Sequence, residues 1–115
     1  MWLIVVLFAI AAVIGLTMAI AAFKGRFPPL PSAVLHGLLA ASALVLLLIA
    51  VLSQGFAGPA AWALGLFVIA ALGGLTLAFG FHARKKPLPK GLVAGHALIA
   101  VIGFVLLLAG VLKLL

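Results

Sequence analysis

The segment LFAIAAVIGLTMA at residues 7–19 returns as LFVIAALGGLTLA at residues 66–78, with nine of thirteen positions identical. After a short basic loop, each copy is followed by a second apolar run headed by a histidine. These runs are HGLLAASALVLLLIA from His36 and HALIAVIGFVLLLAG from His96. Eight of sixteen positions agree from the two histidines onward, and PLP occurs in both basic loops, at 29–31 and 87–89. The shared order of Trp, GLT, PLP and His predicts a duplicated helical hairpin, with units at about 1–57 and 58–115.

Composition sets the solvent for this fold. Of 115 residues 70% are hydrophobic and 6% charged, and the mean hydropathy is +1.62. That leaves too little polar surface for a soluble domain of this size. About 20 consecutive apolar residues cross a bilayer core of roughly 30 Å. Four such spans fit, at about 2–23, 33–53, 59–82 and 91–113, and they use nearly the whole chain. The expected fold is therefore all-α, an integral membrane bundle of four helices running up-down-up-down. With two spans per unit, the copies are parallel and related by an axis along the membrane normal. Helices 2 and 4 then lie on a diagonal. The first span lacks the basic leading segment of a cleaved signal and has a counterpart later in the chain, so it reads as a true span. Ser32, after Pro31, is placed to cap the second helix.

Charge is one-sided. Seven Lys and Arg face no Asp or Glu, giving +7 and a pI near 12. Lys24 and Arg26 sit in KGRFPPLPS, and Arg84, Lys85, Lys86 and Lys90 in ARKKPLPK, whereas SQGFAGP between them is neutral. The positive-inside rule puts both basic loops in the cytoplasm and both termini outside. Lys113 dissents and can snorkel outward. Trp2 and Trp62 fall at the outer ends of helices 1 and 3, where interfacial aromatics belong. Anionic lipid head groups, and not nucleic acid, are the default partner for cations in such loops.

The missing carboxylates exclude several functions. Proton-coupled transport commonly uses a carboxylate in the membrane, as the four-span multidrug transporters use a glutamate, and this chain has none. A hard-cation site lacks its oxygens. Retinal would need a lysine in mid-span. No set of acid, base and nucleophile is present, so the chain is not expected to act alone as an enzyme. Zero cysteines remove disulfides and thiolate chemistry.

The polar residues within the spans remain. His36 and His96 lie one to two turns below the basic interface at equivalent depth. Helical steps from His36 reach Ala40, Ala43, Leu47 and Ala50, and from His96 they reach Ala100, Gly103, Leu107 and Gly110. Three of four positions below each histidine are small. Such a face either lets helices approach closely or leaves a slot for a flat ligand. Gly91 and Gly95 add a GxxxG spacing just before His96. Thr17 and Thr76 lie at matching depth and could accept the free N–H of a ligating histidine. Aligned with the first unit, His82 pairs with Phe23 and reads as an interfacial residue.

In helix number, histidine placement and basic edge the chain resembles the four-helix, bis-histidine b-type cytochromes of membranes. The resemblance implies a small membrane cytochrome of the bacterial inner-membrane type, carrying haem b for electron transfer. It implies His36 and His96 as axial ligands of the iron, with Ala40, Ala43, Ala100 and Gly103 lining the slot. Thr17 and Thr76 would stand behind the histidines, and Arg26, His82, Arg84, Lys85 and Lys90 would meet the propionates. Only one diagonal pair exists, so one haem per chain is implied. Its redox partner would be a quinone or a larger respiratory complex. The other reading is an accessory subunit packed against a larger assembly. Either form could homo-oligomerise.

Overall fold

The computed structural model describes residues 1–113. Among them four long helices form: α1 (Trp2–Phe23), α2 (Leu30–Gln54), α3 (Pro59–Leu77) and α4 (Lys90–Val111), with α3 continuing into a π-helical turn at Ala78–His82. All four are long and apolar enough to cross a membrane. The molecule measures 41 × 21 × 19 Å, so its long axis exceeds a hydrocarbon core of roughly 30 Å. Large apolar side chains such as Leu3, Val13, Leu38, Leu72 and Val101 point outward, as a lipid-facing surface requires.

Helix boundaries follow the prolines and glycines. α2 begins at Leu30, three residues earlier than its expected start, because Pro31 is tolerated in a first turn that needs no N–H. Ser32 is thus inside the helix and does not cap it; Pro29 holds the N-cap position without a side-chain bond. Gly55 ends α2 in the left-handed conformation at φ 68°.

α1 packs on α2 and α3 on α4, and α1–α4 and α2–α3 contacts complete the ring. Both diagonals are bridged by aromatic pairs. Phe8 of α1 stacks on Phe67 of α3 with ring centroids 3.9 Å apart and planes 8° from parallel. His36 of α2 and His96 of α4 meet at 6.2 Å. Leu47 and Leu107 are fully buried beside the phenylalanines, with Ala43, Ile4, Val5 and Ala63. Small residues bring the backbones together: a Cβ on Gly110 would lie 3.3 Å from the Ala60 nitrogen.

The turns after α1 and α3 share one bonding scheme. Arg26 N–H donates to Ala21 O and Gly25 N–H to Ala22 O, while Lys86 N–H donates to Phe81 O and Lys85 N–H to His82 O. Each is a Schellman closure around a left-handed residue, Gly25 at φ 73° and Lys85 at φ 55°. These bonds place His82 where the first turn has Ala22, and both are buried. The sequence pairing of His82 with Phe23 is therefore off by one. The extra residue is absorbed at Ala78–His82, where Ala83 N–H reaches back five residues to Ala78 O.

Candidate functional site

His36 is the seventh residue of α2 and His96 the seventh of α4. At 1.5 Å per residue, each imidazole starts about 9 Å below its helix start. Each ring crosses to a neighbouring helix. Nδ1 of His36 lies 2.7 Å from the carbonyl oxygen of Ala11 on α1, and Nδ1 of His96 lies 2.7 Å from that of Ala70 on α3. A carbonyl only accepts, so both Nδ1 atoms carry the proton. Both Nε2 atoms are left with a lone pair.

Glycines make this reach possible. Within a helix the carbonyl of residue i is flanked by the side chain of residue i+4. Here that residue is Gly15 for Ala11 and Gly74 for Ala70. A Cβ on Gly15 would stand 2.8 Å from His36 Cε1, and one on Gly74 would stand 3.1 Å from His96 Cε1. Gly73 opens the same wall at 3.7 Å. Ala11, Gly15, Ala70, Gly73 and Gly74 were absent from the sequence-derived site. Four of them were legible in principle, since Ala11 matches Ala70 and Gly15 matches Gly74 in the repeated segment.

The remaining expected residues divide. Thr17 and Thr76 do not back the histidines: both are exposed and donate to Ile14 O at 2.6 Å and Leu72 O at 2.8 Å on their own helices. Ala43 and Gly103 do not line a ligand slot. Ala43 is fully buried in the core cluster, and the Phe67 ring fills the space beside Gly103, 3.3 Å from where a Cβ would be. Ala40 and Ala100, one turn below the histidines, are half-buried. His82 is engaged within the chain: Nε2–H donates to Pro28 O at 2.8 Å while Phe27 stacks on the ring at 4.5 Å. Arg26, Lys85 and Lys90 come together around a concavity at the loop end of the bundle, and Arg84 is not among its lining.

His36 and His96 are the two imidazoles that could hold a metal between α2 and α4, each with Nε2 free of a protein partner. Their ring centroids lie 6.2 Å apart with the planes at 78°, edge to face, and among the described residues no group of three or more His, Cys, Asp or Glu gathers there. The tautomer is the one ligation needs, fixed by the carbonyls in place of the threonines. The imidazoles themselves occupy the hollows that Gly15 and Gly74 leave on α1 and α3, and the Phe8–Phe67 stack lies in the core cluster with Ala43 and Leu47. The chain matches no family model, no curated protein and no solved structure.

Proposed function

We propose that this chain is a small membrane b-type cytochrome, two duplicated hairpins in an up-down-up-down bundle that hold one haem b between α2 and α4. The observation that carries the reading is the paired imidazole geometry. Both Nδ1–H groups are tied to carbonyls 2.7 Å away, both Nε2 lone pairs remain, and the centroids lie 6.2 Å apart. His36 and His96 would bind the iron. Ala11 and Ala70 orient the rings and raise their donor strength by accepting the far proton. Gly15 and Gly74 admit the Cε1 edges of the rings to α1 and α3, and the Phe8–Phe67 stack would keep water out from below. Bound there, haem would supply a one-electron iron couple for exchange with a quinone or a larger redox complex. Both basic loops would face the cytoplasm and both termini the opposite side.

A second reading is favoured by the hydrogen bonding itself. Among the described residues every buried side-chain nitrogen and oxygen already has a partner. The histidines would then be staples that close each hairpin inside an accessory subunit. Absorbance of the protein purified from haem-replete cells separates the two. The cytochrome should show a Soret band and an α band that sharpens on reduction with dithionite. His36→Gln and His96→Gln keep an N–H donor and should stay folded while losing six-coordinate iron. A folded, colourless wild-type protein would overturn the cytochrome reading and leave the staple.

A further inference from the structure

We propose that the concavity between the two basic loops is a discrete binding site for the phosphate of an anionic phospholipid. Its volume is about 230 Å³, and three cations from separate segments border it: Arg26 from the first loop, Lys85 from the second, and Lys90 at the start of α4. Like charges converge at a cost unless an anion joins them, and the sequence contains no Asp or Glu to do so.

Two further features point to an oxyanion. α4 starts behind Pro89 with no side-chain cap, so the free N–H groups of its first turn sit beside Lys90 and favour negative charge. Lys85 holds the left-handed position, φ 55°, that glycine fills in the other turn. A lysine there is strained relative to glycine. Lys85 nonetheless lines the concavity.

The apolar part of the lining selects the source of the phosphate. Phe27, Pro87 and Leu88, with Ala22 and Gly25, form the rest of the wall, which suits glycerol esters and the first methylenes of an acyl chain and offers little to a free hydrated ion. The site is built by the loops and does not depend on the histidine pair.

The test is retention and equilibrium binding of phosphatidylglycerol by the full chain in nanodiscs of otherwise phosphatidylcholine composition. Binding should weaken about fivefold for each of Arg26→Gln, Lys85→Gln and Lys90→Gln. The equal-charge set Lys24→Gln, Arg84→Gln and Lys86→Gln should leave it nearly unchanged. Equal loss in both sets would show diffuse surface charge and overturn the site. Lys85→Gly relieves the backbone strain, so it should raise the melting temperature while lowering lipid binding, which separates binding from folding. Inorganic phosphate binding as tightly as the lipid would overturn the choice of a lipid. Loss of lipid binding in the folded His36→Gln, His96→Gln double variant would overturn independence from the core.

Discussion

The Cε1 edge of His36 lies in the hollow that Gly15 leaves on α1, so close that an added Cβ would stand 2.8 Å away. Gly15 and His36 are thus one fitted unit. The bare glycine is what admits the imidazole to the Ala11 carbonyl, and the same relation ties Gly74, His96 and Ala70 together on the other side of the bundle.

Gly15→Ala should therefore destabilise the protein, although alanine is the better helix former by about 0.8–1 kcal/mol. Overpacking a filled core costs about 1–3 kcal/mol, which outweighs that gain. Gly74→Ala meets its histidine at 3.1 Å and should cost less. Gly37 and Gly65 have open space around them, so alanine there should stabilise. Thermal melts in one detergent would rank the four variants, and a Gly15→Ala protein as stable as Gly37→Ala would refute the fitted unit.

The stack of Phe8 on Phe67 should appear as coupling and not only as bulk. Lipid tails are as apolar as the core, so removing either ring mainly costs packing. Each Phe→Ala change should destabilise by about 3–5 kcal/mol at most. The double variant should cost less than the two added together, by about 0.5–1.5 kcal/mol. Strict additivity in a double-mutant cycle would mean the rings pack independently.

Thr17→Val and Thr76→Val should be silent. Each hydroxyl serves only its own helix, so stability should stay within about 0.5 kcal/mol. The absorbance of any haem-loaded protein should not change either. A spectral shift in either variant would return the hydroxyl to the histidine.

Much of this was legible in the chain because periodic apolar runs bounded by prolines and glycines leave few alternatives in lipid. The four helices were of that kind, and so was the place of both histidines near the starts of α2 and α4. What stayed hidden depended on backbone atoms. The partners of His36 and His96 are carbonyls, and no residue type announces a carbonyl, so threonine was the nearest polar candidate and the wrong one. The small-residue face was also ambiguous: steps of four and seven show that Ala43 and Gly103 are small, but not that phenylalanines on α1 and α3 fill the space. His82 was misplaced because a one-residue insertion in a helix changes register without changing composition.

His82 should anchor the first basic loop. Its ring donates to Pro28 O at 2.8 Å and carries Phe27 on its face at 4.5 Å. His82→Phe keeps an aromatic surface for Phe27 but leaves the Pro28 carbonyl unpaired. The expected cost is about 1–3 kcal/mol, with faster amide exchange confined to Lys24–Arg26 and Phe27. Unchanged exchange in that loop would show that the contact with α3 does not hold it.

The π-helical turn yields the sharpest contrast. If Ala78–His82 holds one surplus residue, deleting Gly80 should restore a regular helix and give the second hairpin the spacing of the first. His82 would keep its place in the Schellman turn, and Phe67, Ala70 and Gly74 would keep theirs in the core. The deletion should fold and melt near the parent. Deleting Ile69 instead has no slack to consume. It turns Phe67 and everything before it by about 100° relative to Ala70, so either the Phe8 stack or the His96 bond must break. That variant should be severely destabilised or fail to accumulate. Two deletions of equal severity would show that the turn at Ala78–His82 is structural and not a surplus residue.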